Sequence, residues 1–135
     1  MGPPKKGSLR IKFGQIEKLK LRSLMIKNIP NKYTQEMLKN EIEQEFRGMF
    51  DFLYLPIDFK NNCNYGYAFI NFEDLHSVGR FCRKFQRRKW DISNSKKICE
   101  VVYAKIQGKE ALVRRFKYSK LKKHQEPRFQ PYIKK

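Results

Sequence analysis

Tyr65-Gly66-Tyr67-Ala68-Phe69-Ile70-Asn71-Phe72 alternates without a break, and a period of two predicts one strand of a half-buried sheet. Gly66, Ala68, Ile70 and Phe72 fall on one face and suit a packed core. Tyr65, Tyr67, Phe69 and Asn71 fall on the other, setting three aromatic rings in a row where folding alone gives no reason to expose them. With a rise of about 3.4 Å per residue, rings two positions apart stand roughly 7 Å from each other. Splayed single-stranded bases stack on such a row, which makes Tyr67 and Phe69 the leading base platforms and Tyr65 a third. The competing reading is an ordinary amphipathic strand whose aromatics another element covers.

Working outward, residues 24–29 read as a first strand with Leu24 and Ile26 inward and Met25 and Lys27 outward. Thr34 caps a helix whose Leu38, Ile42 and Phe46 share one face, and Gly48 stops it. Residues 51–58 alternate again; Pro56 within them predicts an edge strand. The polar connection 60–64 makes this strand and the octamer a hairpin. Leu75, Val78, Cys82 and Phe85 mark a second helix, with Arg80, Arg83 and Lys84 on its other side and Arg87, Arg88 and Lys89 beyond its end. Trp90 is expected to pack under that helix end. Residues 98–106 are β-rich with Gly108 as a stop, and Leu112, Val113 and Phe116 predict a basic third helix over 109–120.

This order is β-α-β-β-α-β, an α+β, ferredoxin-like arrangement. It predicts a four-stranded antiparallel sheet with two helices on one face, the octamer's rings on the other, and a C-terminal third helix. The organisation expected is a basic N-terminal arm (1–22), the central domain (23–108), a basic helix (109–122) and a tail (123–135).

Charge supplies the second constraint. Thirty-one Lys and Arg against thirteen Asp and Glu give +18 over 135 residues, which calls for a polyanionic partner. Nucleic acid fits better than an anionic membrane, because bases offer π-faces to the interleaved aromatics and headgroups do not. No segment has the length of apolar sequence that a span or a leader needs, which predicts a soluble, intracellular chain with no membrane partner. Cys63, Cys82 and Cys99 form no Cys-x-x-Cys pair, so neither a disulfide framework nor a zinc site is expected, and Cys82 and Cys99 read as core. His76 and His124 have no nucleophile near them in sequence, and no Gly-rich phosphate loop precedes a helix. Neither an enzyme nor a cofactor is expected.

The octamer resembles the RNP-one signature of the RNA recognition motif at seven of eight positions; Tyr65 stands where a basic residue is usual. Leu24-Met25-Ile26-Lys27-Asn28-Ile29 is similar to the partner RNP-two hexamer, with Met25 in place of an aromatic. Three longer stretches resemble the C-terminal RNA recognition motif of the Mei-two-like family. They are Leu-Met-Ile-Lys-Asn-Ile-Pro-Asn-Lys-Tyr-Thr (24–34), Asp-Phe-Leu-Tyr-Leu-Pro-Ile-Asp-Phe-Lys-Asn-Asn-Cys-Asn-Tyr-Gly-Tyr-Ala-Phe-Ile-Asn-Phe (51–72) and Tyr-Ala-Lys-Ile-Gln-Gly-Lys (103–109). The resemblance covers about residues 23–116.

It implies single-stranded RNA binding on the sheet face, in a regulator of RNA fate, with the segment after the fourth strand belonging to the domain. The binding residues expected are Tyr67, Phe69, Tyr65, Met25, Lys27, Asn71, Tyr54 and Lys105: rings and thioether for bases, ammonium groups for phosphates, the Asn71 amide for a base edge. Phe52 extends the platform or packs in the core. The basic second helix is a surface for a protein partner. Two alternatives stand beside this reading: a protein-interaction module whose sheet face is covered by the third helix, and a structural subunit of a ribonucleoprotein particle bound through its basic flanks. A nuclear location, with shuttling to the cytoplasm, is expected.

Overall fold

The computed structural model describes residues 9–92, 94–118 and 125–135, and its first element already belongs to the fold. Residues 9–22 do not hang free as an arm. Leu9 accepts the Tyr103 N–H at 2.8 Å, Arg10 bridges to Val102, and the short helix α1 (Ile16–Leu19) buries Ile16. Ile11 is buried too, so five of these residues, Leu9, Ile11, Ile16, Leu19 and Leu21, extend the core that the charge of the segment had hidden. Residues 1–8 of the expected arm lie outside the described residues.

β1 (Ser23–Lys27) follows, then α2 (Gln35–Phe46), whose first turn is closed by the Thr34 hydroxyl accepting the Met37 N–H at 3.1 Å. β2 (Phe50–Tyr54) pairs antiparallel with β5 (Tyr67–Phe72), and the loop between them carries a small hairpin of β3 (Ile57–Asp58) and β4 (Cys63–Asn64). In α3 (Leu75–Phe85) the Asp74 carboxylate accepts the Ser77 N–H at 2.7 Å. That bond holds the Asp74 carboxyl below its ordinary range. β6 (Glu100–Tyr103) and α4 (Lys109–Phe116) complete the order that periodicity predicts.

The sheet has five strands, not four. Its order is β6-β1-β5-β2-β7, where β7 (Tyr132–Ile133) comes from the segment expected to be a tail. Tyr132 pairs with Leu53 and Ile133 with Phe52, and the Lys134 N–H reaches Asp51 O at 2.9 Å. β2 is therefore interior rather than an edge; Pro56, which suggested the edge, lies beyond the strand's last residue. The octamer strand β5 becomes the middle of the sheet, buried from both sides.

A register shift between Phe50 and Phe52 divides β2 between two cores. Phe50 and Leu53 join α2 and α3 in the larger cluster, with Leu24, Ile26, Ile70, Phe72, Phe81 and Phe85, while Phe52 and Tyr54 point to the opposite face. Trp90 closes the larger cluster at the end of α3: it is 5% exposed, stands edge-on to Tyr33 at 5.5 Å and donates its indole N–H to Asn28 O.

Candidate nucleic-acid interface

Cross-strand register sets the geometry of the face opposite α2 and α3. Met25 on β1, Phe69 on β5 and Tyr54 on β2 lie in one transverse row, and Lys27 stands opposite Tyr67 in the next. This is the surface on which sequence alternation places the aromatic row.

The row is not uniformly open. α4 crosses it, and Leu112 and Ala104, both fully buried, join Phe52, Tyr54 and Phe69 in a second apolar cluster. Phe116 lies on Phe69 with centroids 4.7 Å apart and on Tyr54 at 5.1 Å. Phe69 is consequently 7% exposed and Tyr54 8%, so the expectation that both rings face solvent is corrected. The cause is hydrophobic: Leu112, Val113 and Phe116 recur on one helical face and have no other apolar surface to cover. Burial, and then the neighbouring Tyr67 and Tyr65, raises the Tyr54 hydroxyl above its ordinary pKa.

What α4 leaves uncovered is the end of the face where β5 begins. Tyr65 is 56% exposed and Tyr67 half-buried, and their rings stack with centroids 6.3 Å apart and planes 28° from parallel. Gly66 makes this possible with φ +90, a conformation that side chains rarely adopt, so Tyr65 stands just outside the strand yet over Tyr67. Tyr67 in turn meets Phe69 edge-on at 5.8 Å, so an exposed pair continues into a covered ring. Lys27 is half-buried, and its ammonium lies 3.7 Å from Glu100, its cross-strand neighbour. A rim pair of this kind is worth at most about 1 kcal/mol, which a phosphate can replace. Met25 is half-buried against the α4 cluster, and Lys105 is exposed in the turn between β6 and α4.

Asn71 departs from its expected role. It is 2% exposed: its amide donates to Asp51 at 2.8 Å and its oxygen accepts from the Ser23 hydroxyl at 2.7 Å. The same hydroxyl accepts the Gly108 N–H at 2.8 Å, while the Gln107 amide grips both Ser23 O and Ala104 O. Asn71 thus anchors the turn that sends α4 back over the sheet, and its burial keeps its amide from a base. Gln107 is the residue that sequence reasoning missed, whereas Leu112 and Phe116 sit where the covered-sheet alternative expects them.

The helix side is strongly basic. Lys84 pairs with Glu45 at 3.4 Å and Arg88 with Asp91 at 2.9 Å; Arg83 lies over the exposed Phe13 ring at 5.9 Å. A cleft of about 720 Å³ lies between the start of α2, the β3–β4 hairpin and residues 127–132, and none of the expected binding residues lines it. Lys39 and Arg128 in it are engaged by Glu43 and Glu126, while Lys32 in it has no carboxylate partner among the described residues. Among the described residues, no group of three His, Cys, Asp or Glu side chains could hold a metal ion, and no helix is long and apolar enough to cross a membrane.

Comparison with known proteins agrees with this fold. The family model for RNA recognition motif 2 matches residues 22–117. Protein MEI2-like 1 of Arabidopsis thaliana is 52% identical over 99 residues, covering 73% of this chain and 11% of the relative; protein MEI2-like 5 of the same plant is 49% identical over 111 residues, covering 82% and 14%. The chain thus spans about a tenth of the length of such relatives. Among solved structures, the Rna15 RRM with bound RNA (GU) is similar with a TM-score of 0.53 at 23% identity, covering 62% of this chain and 83% of that one. The Sxl-lethal protein/RNA complex gives 0.53 at 21% identity, covering 66% and 50%. At such identities the likeness is one of fold.

Proposed function

From the membership of this chain in the RNA recognition motif 2 family, the Mei2-type RNA recognition motif, we propose that it binds single-stranded RNA on the sheet face and thereby governs RNA fate. The observation that carries the reading is the Tyr65–Tyr67 stack, exposed at the mouth of the sheet beside Lys27. Tyr65 and Tyr67 take the first bases, Lys27 and Lys105 hold phosphates, and Met25 offers a soft apolar surface to a base. Phe69 and Tyr54 add a further platform once Phe116 moves aside. A location in the nucleus belongs to the same reading.

Tyr65→Ala and Tyr67→Ala test it, with affinity for a random-sequence single-stranded RNA pool measured at fixed salt. Each stacked base is worth about 1–3 kcal/mol, so each change should weaken binding by roughly five- to 150-fold. Unchanged affinity in both folded variants sinks the stacking mechanism.

One observation favours a second reading. Phe116 seated on Phe69 is what a protein-interaction module with a permanently covered sheet would show. In that case the pool should bind equally well, or not at all, whatever stands at Tyr65 and Tyr67.

A further inference from the structure

Residues 9–22 are not part of the β-α-β-β-α-β order, yet they are built firmly onto it. Leu9 and Arg10 line the outer edge of β6, and Ile16 is buried with its Cδ1 close to Gly79 of α3, so the segment forms a fixed surface. That surface is basic. It carries Arg10, Lys12, Lys18, Lys20 and Arg22 against Glu17 alone. α3 adds Arg83. Among the described residues, Lys84 and Arg88 have carboxylate partners, while Arg10, Lys12, Lys18 and Arg83 have none. In their midst Phe13 is 49% exposed, with the Arg83 guanidinium over its ring.

Taking the sheet-face reading as its starting point, we propose that this surface is a second RNA site: unpaired cations Arg10, Lys12, Lys18 and Arg83 hold backbone phosphates, and Phe13 stacks a base. The route is continuous. β6 is the outer strand of the sheet, and Arg10 is bridged to its Val102, so a strand leaving the aromatic face passes Arg10 at the edge before reaching Lys12 and Phe13. An acidic polypeptide would satisfy the cations but not the ring. A nucleotide satisfies both, because base stacking on an aromatic is tolerant of sequence and phosphates recur along the chain. Because the segment is already ordered against β6 and α3, binding pays little for fixing it.

The test compares the full chain with a variant carrying Lys12→Gln, Phe13→Ala, Lys18→Gln and Arg83→Gln, all at exposed positions. Random-sequence single-stranded RNA pools of about 5 and about 25 nucleotides serve as probes, the shorter near the size of one small binding module. The long pool should bind the variant at least about tenfold more weakly, and its log–log salt slope should flatten by about 2 for the three lost phosphate contacts. The short pool should bind both proteins alike. An unchanged affinity and slope for the long pool overturns the second site. Poly-glutamate that displaces the long pool as well as unlabelled RNA does, charge for charge, also overturns it, in favour of an acidic protein partner. Loss of short-pool binding in Tyr65→Ala and Tyr67→Ala reports on the sheet face separately, so failure of one site is distinct from failure of the other.

Discussion

Phe116 covers Phe69: the two rings lie 4.7 Å apart with planes 31° from parallel, and Phe116 also meets Tyr54, the cross-strand neighbour of Phe69, at 5.1 Å. A base that stacks on Phe69 must take the place of Phe116. If only chains with α4 lifted can accept that base, observed affinity is lowered by the fraction that is lifted. An aromatic contact is worth about 0.5–1.5 kcal/mol, so Phe116→Ala should raise affinity for single-stranded RNA by roughly two- to tenfold. Fluorescence anisotropy at fixed salt reads this directly. A fall in affinity would show instead that α4 is part of the binding surface.

Asn71→Ala should act on the fold. The change removes a partner of the buried Ser23 and of the half-buried Asp51. A buried polar group left without its partner costs about 1–3 kcal/mol, and urea denaturation should show a loss of that size. Hydrogen exchange at the Gly108 amide, which donates to the Ser23 hydroxyl, should speed up with it.

Much of this was legible in the residues, and the misses share one physical cause. Leu24 and Ile26, Ala68 and Ile70, Leu38, Ile42 and Phe46 announce their faces through period alone, and these positions are the core. Periodicity says which side of an element is apolar but not what that side meets. Hence the helix at Leu112 and Phe116 was predictable, while its seat on Phe69 stood only as one of two alternatives. Pairing partners are non-local as well: the two residues Tyr132 and Ile133 are too short a run to declare a strand, and only the edge of β2 makes them one. Charge misled in residues 9–22, where the apolar Leu9, Ile11 and Ile16 are spaced among lysines and arginines. The helix predicted over 109–120 ends at Phe116, short of that bound, and His124 lies outside the described residues.

Glu41 provides a pH handle unconnected to RNA. It is buried against the Tyr33 hydroxyl, which donates to it, and burial raises its carboxyl above the ordinary range despite that bond and Arg88 at 3.7 Å. A carboxyl whose folded pKa exceeds the unfolded value, about 4.3, stabilises the fold below that value and loses the contribution as pH rises through the folded one. Glu41→Gln keeps an acceptor for Tyr33 without the charge. The variant's stability relative to the parent should therefore grow as pH climbs from about 4 towards neutrality. Paired urea melts across that range check it, and a constant difference would refute the shift.

The cysteines should divide by burial. Burial pushes the Cys82 and Cys99 thiols up to about 12, whereas Cys63 in β4 is half-exposed. Thiolate is the reactive form, so near neutral pH a disulfide reagent should modify Cys63 in the native protein and reach Cys82 and Cys99 only on unfolding. Reaction at Cys82 or Cys99 at the native rate of Cys63 would mean that the larger core opens readily.

β7 closes an edge that would otherwise be a liability. Without Tyr132 and Ile133, β2 would present Phe52 and Leu53 on an unpaired edge, a template for pairing with another chain. β7 is also tied to the lid: the Lys109 ammonium, in the first turn of α4, donates to Lys134 O at 2.7 Å, and Lys134 itself pairs with Glu73 at 2.6 Å. Ending the chain before Gln125 should thus have two effects. Amide protection in β2 should fall and concentration-dependent association appear by sedimentation, and α4 should lift more readily, raising RNA affinity in the same direction as Phe116→Ala. A truncated chain that stays monomeric and keeps its β2 protection would show that β2 is sealed by something other than β7.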